Sequence, residues 1–568
     1  MTGVPDVMVA KNRTALVPLL RSPPFPSAAA SISRPRSGTP SRYDADTVDR
    51  LFAAIREEKV GGDFWHPPAA TTGSVIVRAR SAAELAPLLA KPSFSPRDAT
   101  LWLLPADAKD RKAAVSLVRP GHILFGEIDP WSLLHADARL YAHGDDEWVA
   151  LAHIAGAPVD ILSNGRFGFV DDDAIQLRHR TIDVLQNTTY FDPFTKQEAS
   201  IESVIAQLGA WRRTFEANQA IVAACGIAWW KRHEIARFLW TPRHGLRFFR
   251  SERRAIAHAA KHSGAVAVWP SRVSPGMAEA ARTRGVSLVR VEDGFVRSVG
   301  LGANLVPPSS IVVDRLGIHY DPGQPSDLEA ILSATSFPPR LLERAQRLHQ
   351  TILDARISKY GGDDDHIFPA RAAGRQLVLV TGQVEDDMSV KLGGGGLCSN
   401  LEVLRRTRII EPDAEIWFRP HPDVDAGHRK GIVRDGDALA YADRIVRGGS
   451  MGRLLDLVDA VHVLTSLTGF EALLRGRNVT CHGTPFYAGW GLTHDLASMP
   501  NRRGRSLTIE QLLAAVLILY PRYLDPVTGL PCPAEILIDR VAVGAARNRL
   551  RWVTHIREWQ GRLARRGR

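Results

Sequence analysis

The sequence contains no run of about 20 apolar residues, which is the length that a membrane-spanning helix requires. Its longest apolar stretch, Leu512 to Leu519, is far shorter and is typical of a buried helix. Cysteine is also scarce, with 4 residues in 568, and their wide spacing excludes a disulfide framework or a paired-cysteine metal site. We therefore expect reduced thiols and a cytoplasmic protein without a transmembrane helix.

The two ends of the chain lack the patterns of folded or targeting segments. Residues 1–41 have no apolar core of a signal peptide and are rich in Pro, Ser and Arg, which predicts a disordered leader over residues 1–45. Residues 546–568 are dense in arginine and include Trp552 and Trp559. This segment predicts a basic helix that is either solvated or lies on the inner face of the cytoplasmic membrane.

The net charge of +11 is compatible with nucleic acid, an anionic membrane or an acidic substrate. Neither the interleaved aromatic and basic residues of an RNA-binding surface nor the pattern of a DNA-reading helix is present. We therefore expect no nucleic-acid partner, and the positive charge favours a membrane surface or an acidic small molecule.

Short β-branched runs alternate with longer helical patterns after residue 220, as in Val266–Trp269 followed by Met277–Arg284. This rhythm predicts parallel α/β sheets. One block extends from about 225 to 336 and another from about 376 to 500, and a helical linker over 338–359 separates them. The pattern favours two facing, doubly wound domains with a cleft between them.

A faint internal repeat links residues of about 70–215 to residues of about 376–545. Leu101–Pro105 resembles Glu415–Pro420, and Tyr190–Thr195 resembles Tyr523–Thr528, in the same order along the chain. The repeat predicts that a further nucleotide-binding-like domain precedes the two others. Chance similarity between α/β segments is the alternative interpretation.

Two acidic loops follow predicted strands, where parallel sheets place ligand-binding groups. Glu292 and Asp293 precede Gly294, which allows a sharp turn. Glu385, Asp386 and Asp387 follow another strand, together with Gln383. These acids could serve as a catalytic base or nucleophile. A metal site is conceivable but has no nearby histidine, and solvated surface loops are the simpler alternative.

Two further strand ends carry groups suited to phosphate. His421 lies between Pro420 and Pro422, which fix its backbone, and Arg419 precedes it. Thr465 and Ser466 precede a predicted helix start, where N–H groups favour an anion. Simple helix capping by a hydroxyl is the alternative explanation for the second motif.

The order and spacing of these motifs resemble the capsular polysaccharide biosynthesis family, the KpsC-type retaining β-Kdo transferases. The resemblance extends from Gly226 to Thr528. It is carried by the segments Gly226–Arg232, Glu292–Gly302, Gly382–Asp387, Arg419–Pro422, Thr465–Leu474 and Pro485–Gly491. It implies a GT-B-like fold, CMP-Kdo as donor, no metal or other cofactor, and a lipid-linked Kdo or oligosaccharide acceptor. It also implies a place in a capsule biosynthesis and export complex, on the inner face of the membrane.

The resemblance implies roles for individual residues. Glu292, Asp293, Glu385, Asp386 and Asp387 are the expected catalytic acids, with Asp293 as acid/base and Asp386 or Asp387 as covalent nucleophile, although the opposite assignment stays open. The expected donor-binding residues are Gln383, Arg419, His421, Pro422, Thr465, Ser466, Thr468, Gly469 and Glu471. The expected sugar and acceptor pocket comprises Arg297, Ser298, Gly300, Tyr487 and Trp490.

The chain departs from the family before residue 220, where no second Glu-Asp-Gly block occurs and Ala106 aligns with His421. His143, Asp145 and Asp146 lie opposite the Thr465–Ser466 region, and acids there would repel phosphate. We therefore predict a degenerate domain over 46–220, an acceptor-side domain over 221–360 and a CMP-sugar domain over 361–545. Alternatives are a transferase for another CMP-activated keto-acid sugar, such as sialic acid, and a non-catalytic capsule-assembly subunit.

Overall fold

The computed structural model describes residues 17–26, 31–39, 42–90, 100–118, 122–296, 307–355 and 366–544. It divides the chain into two compact units, residues 1–219 with 241–244, and residues 220–240 with 245–568. The predicted basic helix over 546–568 lies outside the described residues. Among the helices described, none is both long and apolar enough to cross a membrane.

The first unit contains a parallel five-stranded sheet and a small antiparallel pair. Its strands are β1 (Ser33–Pro35), β2 (Val75–Arg78), β3 (Thr100–Leu104), β4 (Ile123–Phe125), β5 (Arg139–Ala142), β6 (Val159–Ile161) and β7 (Thr188–Tyr190). Its helices are α1 (Ala45–Glu58), α2 (Leu85–Leu89), α3 (Ala108–Leu117), α4 (Trp148–Ala155), α5 (Ala174–Gln186) and α6 (Ile201–Asn218). The sheet order is β4-β3-β2-β5-β6, and β1 pairs with β7.

The described part of the N-terminal segment is folded, so the prediction of a disordered leader over 1–45 is wrong for these residues. Leu19, Leu20 and Ile32 are buried, and β1 pairs with β7. Arg21 donates to Asp63 at 2.9 Å and to Glu147 at 2.6 Å. The Pro- and Ser-rich composition concealed the few apolar residues that fix the segment, because single buried side chains produce no periodic pattern.

The second unit contains two larger sheets. Its strands are β8 (Ile221–Cys225), β9 (Arg247–Phe249), β10 (Ala265–Val268), β11 (Leu288–Asp293), β12 (Ser310–Asp314), β13 (Leu377–Thr381), β14 (Glu415–Arg419), β15 (Arg444–Ile445), β16 (Ala460–Val463), β17 (Asn478–Cys481), β18 (His494–Asp495), β19 (Pro521–Leu524) and β20 (Pro531–Cys532). One sheet has the order β20-β19-β12-β11-β10-β8-β9, and the other, which is entirely parallel, has the order β15-β14-β13-β16-β17-β18.

Helices cover both sheets of this unit. They are α7 (Arg232–Phe238), α8 (Glu252–Lys261), α9 (Met277–Arg282), α10 (Asp327–Ala334), α11 (Pro339–Asp354), α12 (Met388–Gly393), α13 (Asn400–Ile410), α14 (Pro422–Asp425), α15 (Asp435–Leu439), α16 (Met451–Leu457), α17 (Leu467–Leu473), α18 (Ile509–Leu513) and α19 (Ala534–Ala542). A π-helical turn, Ala514–Leu519, continues α18. Strands such as Val266–Val268 and Leu377–Val380 are buried throughout, which is the pattern of central parallel strands.

The predicted α/β architecture is confirmed, with two Rossmann-like domains in a GT-B-like arrangement in this unit and a further Rossmann-like domain before it. The boundaries differ at one point, because β19 and β20 belong to the first sheet although the sequence placed residues 361–545 in one domain. β19 pairs antiparallel with β12, and its residues Tyr523 and Leu524 are buried. The chain therefore returns to the first sheet after residue 520.

The two regions linked by the internal repeat have the same sheet topology. The order β4-β3-β2-β5-β6 in the first unit corresponds strand for strand to β15-β14-β13-β16-β17 in the second. The two Asp-Pro turns also match. Asp192 accepts the N–H groups of Phe194 and Thr195 at 2.7 and 2.8 Å. Asp525 likewise accepts the N–H groups of Val527 and Thr528, both at 3.1 Å. Both the strand order and the turn contacts agree with the predicted repeat.

A histidine pair is buried beside the parallel sheet of the second unit. Nδ1 of His462 lies 3.1 Å from Nε2 of His482, and Thr407 contacts both rings. Burial, and then the neighbouring His482, lowers the pKa of His462 to about 3. Burial lowers the pKa of His482 to about 4. The carboxylate of Glu411, 3.5 Å from Nε2 of His462, opposes the shift without reversing it. Both rings are therefore neutral at pH 7.

This pair predicts a loss of stability in mild acid. The unfolded chain titrates its histidines near pH 6.5, so the stability held above that pH is lost as the pH falls toward 4, by up to about 1.4 kcal/mol per pH unit and histidine. Urea unfolding at pH 7 and pH 5 measures this, and His482→Asn is expected to reduce the difference between the two midpoints. The exposed His179 of α5, in the first unit, provides the control, His179→Gln. An equal pH response in His482→Asn and the unaltered protein would contradict the prediction.

Candidate active site

A pocket of about 510 Å³ is lined by loops that follow strands of both sheets in the second unit. Of the residues predicted from the sequence, it brings together Glu292, Asp293, Gln383, Asp387, His421, Thr465 and Ser466. Arg297, Ser298 and Gly300 lie outside the described residues. The carboxyl ends of parallel strands meet at one edge of a sheet, and this explains why motifs far apart in sequence converge here.

The first acidic loop is held by an ion pair. The ammonium of Lys231 lies 2.6 Å from Oδ1 of Asp293, and Lys231 is 7% exposed. The ammonium also lies 3.7 Å from the ring centre of Trp269, a favourable cation–π distance. A buried ammonium in contact keeps a carboxylate ionised and fixes its direction. Asp293 is therefore a positioned, charged oxygen at the pocket wall.

Gly294 lets this loop approach β12 closely. Its N–H donates to the carbonyl of Ser310 at 3.0 Å, and a Cβ at position 294 would lie 2.3 Å from Oγ of Ser310. A larger residue would therefore displace the turn that presents Glu292 and Asp293. Glu292 is half-buried, and its Oε1 accepts the N–H of Asp293 at 3.1 Å.

The three acids of the second loop face different ways. Asp387 lines the pocket, and its Oδ2 accepts the hydroxyl of Ser389 at 2.7 Å. Asp386 instead pairs with Arg429 at 3.2 Å, and this guanidinium lowers the pKa of Asp386. Glu385 accepts the N–H of Asn400 at the start of α13, at 2.8 Å. Only Asp387 of the three belongs to the pocket lining, so the structure favours Asp387 over Asp386 as the reactive acid of this loop.

His421 lines the pocket with a defined ring orientation. Its Nδ1 accepts the N–H of Asp423 at 3.2 Å, because His421 caps the short helix that begins at Pro422. In the neutral ring this arrangement assigns the proton to Nε2, which makes Nε2 a donor. Pro422 contributes by fixing the start of the helix, and it is not part of the pocket lining.

Arg419 is not a phosphate ligand in this structure, contrary to the prediction. It is 9% exposed, and its guanidinium donates to the backbone carbonyls of Val446 at 3.4 Å, Gly449 at 3.0 Å and Gly448. Burial lowers its pKa. The side chain therefore holds the loop after β15 against the end of β14, and its influence on the pocket is to position His421.

Gln383 and Thr465 form a clamp across two strand ends. Oε1 of Gln383 accepts the N–H of Thr465 at 2.8 Å, and Nε2 donates to the Thr465 hydroxyl at 3.0 Å. The amide of Gln383, which was expected to bind the donor, thus forms two hydrogen bonds with Thr465 and sets the position of this residue. Ser466 caps α17 by accepting the N–H of Thr468 at 3.2 Å, as the capping alternative proposed, and it also lines the pocket.

The remaining predicted residues support the pocket from outside it. Thr468, Gly469 and Glu471 lie on α17 and are not in the lining. Tyr487 and Trp490 are fully buried, so their prediction as sugar-pocket residues is wrong. Tyr487 donates to the carbonyl of Ser466, and Trp490 donates to that of Phe486 at 2.9 Å. Their size and hydrogen bonds place them in the core, whereas Pro485 and Phe486 of the same motif line the pocket.

Several residues of the pocket region were not predicted from the sequence, among them Lys231, Trp269 and Tyr320. Lys231 ends the Trp-Trp-Lys motif after β8, and only the fold shows that it reaches Asp293. Trp269 directly follows β10, which was a usable signal because other strand ends carry site residues. Tyr320 lies in the loop after β12, in a stretch without a recognisable pattern.

The corresponding region of the first unit is filled by ion pairs. Asp146 pairs with Arg78 and also accepts the N–H of Trp148 at 3.0 Å, as Ser466 accepts that of Thr468. Asp145 pairs with Arg80, and Nε2 of His143 lies 3.0 Å from Glu84. Carboxylates thus replace the hydroxyls of the second unit, and their charge disfavours a phosphate there.

We predict that Asp145→Ala, Asp146→Ala and His143→Ala each leave the activity of the protein within about twofold, because these residues form ion pairs in the first unit and do not line the pocket of the second unit. Initial-rate measurements with each variant test this. Calorimetric titration with CMP gives an independent check, with one binding site per chain expected. Two sites per chain, or loss of activity in a variant that remains folded, would contradict the prediction.

Among the described residues, no three His, Cys, Asp or Glu side chains are grouped so that they could hold a metal ion.

The site combines a rigid histidine, two hydroxyls and two separate carboxylate loops around one pocket. Fold and site together define a GT-B-like protein whose cleft presents Glu292 and Asp293 on one wall, and phosphate-compatible donors together with Asp387 on the other.

Comparison with known proteins identifies the family. Residues 264–523 match the family model described as "Capsule polysaccharide biosynthesis protein". The beta Kdo 2,7 transferase of Thermosulfurimonas dismutans KpsC is 35% identical and is covered over 99% of its chain and 57% of this one, with a TM-score of 0.47. The beta Kdo 2,4 transferase of the same protein is 31% identical. The match covers 98% of that chain and 56% of this one, with a TM-score of 0.49. The chain belongs to the capsule polysaccharide biosynthesis family.

Curated relatives agree with this placement. The capsule polysaccharide modification protein LipA of Neisseria meningitidis serogroup A is 39% identical over 352 residues, which is 62% of this chain and 49% of LipA. The lipopolysaccharide-processing protein LpsZ of Rhizobium meliloti is 45% identical over 254 residues, 44% of this chain and 57% of LpsZ. The chain therefore spans about half the length of the curated relatives that it matches.

Proposed function

We propose that this protein is a glycosyltransferase that moves Kdo from CMP-Kdo, with retention of configuration, onto a lipid-linked Kdo or oligosaccharide acceptor in capsule polysaccharide biosynthesis. One observation carries the proposal: a single pocket joins His421, Thr465 and Ser466 on one wall to Glu292 and Asp293 on the other. The 35% identity to the beta Kdo 2,7 transferase of Thermosulfurimonas dismutans KpsC supports the choice of sugar.

The donor side of the pocket suits a leaving group with one phosphate. Nε2–H of His421 and the hydroxyls of Thr465 and Ser466 supply donors to phosphate oxygens, and Gln383 fixes the position of Thr465. Preorganised donors stabilise charge as it develops on a leaving group. A single phosphate carries less charge than a diphosphate, and we therefore propose that the reaction requires no metal.

A transfer that retains the anomeric configuration through two displacements requires catalytic acids on opposite walls of the pocket. Two successive displacements retain configuration, and in the first of them the nucleophile attacks the face opposite the leaving phosphate. Asp293 follows β11 of the other sheet, across the pocket from the His421 wall, and Lys231 keeps it charged. We therefore propose Asp293 as the nucleophile and Asp387 as the base, which reverses the roles predicted from the sequence.

The proposed transfer of Kdo takes place in two displacement steps. An Asp293 oxygen bonds to the anomeric carbon while the bond from that carbon to the phosphate oxygen breaks, and CMP leaves with the electron pair. The acceptor hydroxyl then attacks the same carbon from the vacated face. Its proton passes to Asp387, and the bond between sugar and Asp293 breaks to restore the carboxylate. Asp387 lies on the phosphate wall, which is the face that the acceptor must enter.

The test is a panel of donors with the purified protein and a synthetic Kdo-primed lipid acceptor. CMP-Kdo is expected to release CMP faster than CMP-sialic acid, and a UDP-sugar is expected to be inert. Treatment with EDTA is expected to leave the rate unchanged. Preference for CMP-sialic acid would favour the other keto-acid sugar, no reaction with any donor would favour an assembly subunit, and loss of activity restored by Mg²⁺ would contradict metal independence.

The place of the protein in the cell is part of the proposal. A lipid-linked acceptor requires the enzyme to reach the inner face of the cytoplasmic membrane, and we propose peripheral attachment there as part of a capsule biosynthesis and export complex. The net charge of +11 supports attraction to an anionic membrane surface. Vesicle flotation with and without anionic lipid measures this association.

A further inference from the structure

Tyr320 belongs to the pocket lining and carries a buried hydroxyl group. The residue lines the pocket, and its phenol oxygen is buried without a hydrogen-bond partner among the described residues. Buried hydroxyl groups are almost always paired, because an unpaired one has lost its bonds to water without replacement. An unpaired hydroxyl on a residue that lines a pocket is therefore a candidate partner for a bound ligand.

The loop that carries Tyr320 is held firmly in place. Oδ1 of Asp314 accepts the N–H groups of Leu316 and Gly317 at 3.1 and 2.8 Å. Arg502 donates to the carbonyl of Gln324 at 3.0 Å on the other side of the loop. The ring of the adjacent His319 packs 4.9 Å from that of Phe295. The phenol is therefore preorganised, so little ordering would accompany a contact with a ligand.

The charges around Tyr320 keep it protonated. Burial, and then the carboxylates of Glu292 and Asp387, raises its pKa. The phenol is therefore a donor throughout the neutral range and lies between the two acidic loops. These loops make the pocket repulsive to a negatively charged ligand, and such a ligand needs compensating donors.

The amide of Gln383, which was expected to bind the sugar donor, is already partly engaged within the protein. Both amide atoms of Gln383 are engaged by Thr465. Arg429 lines the pocket but pairs with Asp386. Tyr320 thus stands out in the described lining as a buried donor with no acceptor.

We propose that the hydroxyl of Tyr320 donates a hydrogen bond to the carboxylate of the bound keto-acid sugar and so contributes to selection of this sugar class. The proposal rests on the proposed function, because it requires a donor sugar with a carboxylate at the anomeric carbon. A hydrogen bond to a charged acceptor is stronger than one to a neutral oxygen. The contact would thus discriminate between a keto-acid sugar and a sugar that lacks the carboxylate.

The test measures the effect of Tyr320→Phe in a protein that does not consume its donor. The reference protein carries Asp293→Asn alone, and the double variant carries Tyr320→Phe as well. Calorimetry measures binding of three ligands: CMP, CMP-Kdo, and a CMP-Kdo analogue whose carboxylate is reduced to a hydroxymethyl group. Tyr320→Phe is expected to weaken CMP-Kdo binding about tenfold and to leave CMP and the analogue within about twofold. Tyr441→Phe, which is remote from the pocket, is the matched control.

Stability gives a second readout. Because the hydroxyl has no partner in the described structure, Tyr320→Phe is expected to leave the Tm of the free protein unchanged or higher. A clearly lower Tm would show that the hydroxyl is already bonded, which would overturn the proposal. Equal weakening of all three ligands, or equal weakening of CMP-Kdo and the analogue, would also overturn it.

Failure of the proposed function has a different signature. If the reference protein, in which Tyr320 is intact, binds neither CMP nor CMP-Kdo, the proposed function is wrong and the contact proposed for Tyr320 falls with it. If the reference protein binds CMP-Kdo and the double variant binds it equally well, only the contact of Tyr320 is wrong.

Discussion

Asp293→Asn is expected to reduce transfer at least about 10³-fold while CMP binding is retained, because the amide cannot form the covalent intermediate. Rates with CMP-Kdo and acceptor, together with calorimetry of CMP binding, measure the two effects. Lys231→Met is expected to impair transfer as well, since it removes the ammonium 2.6 Å from Oδ1 of Asp293. Asp386→Asn is the matched control, because Asp386 pairs with Arg429 and is not in the pocket lining.

Intact-mass spectrometry identifies the nucleophile. Brief mixing of the protein with CMP-Kdo in the absence of acceptor is expected to add the mass of one Kdo residue. Peptide mapping should place it on the peptide that contains Asp293. An adduct on the peptide that contains Asp387 would contradict this assignment and restore the one predicted from the sequence.

His421→Ala is expected to lower the turnover rate about 10²- to 10³-fold, the usual effect of removing one preorganised donor to a developing charge. The fold should be preserved, because His421 is half-buried and its Nδ1 caps a short helix through the N–H of Asp423. Measurement of kcat at saturating CMP-Kdo and of donor affinity tests this, with His494→Ala as the control. Unchanged turnover and unchanged donor affinity would contradict a role for His421 in handling the phosphate.

The convergence of the site could be predicted because it depends on a local rule. Glu292, Gln383, His421 and Thr465 each lie at or after the end of a strand, and parallel strands bring such positions to one edge. The α/β class followed from the same alternation of buried strands and helices. The internal repeat was visible because the Asp-Pro turns after β7 and β19 use the same side-chain contacts.

The side-chain positions that were predicted wrongly or not at all depend on long-range packing. Arg419 and His421 are close in sequence, yet the arginine points to the loop after β15 and the histidine to the pocket. Tyr487 and Trp490 belong to a motif of the site and are nevertheless core residues. The contact of Lys231 with Asp293 spans 62 positions. No pattern within one segment reveals which of two nearby side chains faces a cleft.

The linkage of the product shows directly whether this protein is a retaining β-Kdo transferase. The purified protein is incubated with CMP-Kdo and a Kdo-primed lipid acceptor, and the anomeric configuration of the added sugar is read by NMR. We expect the unaltered protein and Asp386→Asn to add Kdo in β linkage, and Asp293→Asn to add none. An unmodified acceptor, an α-linked product, or an equal amount of β-linked product from Asp293→Asn would contradict it.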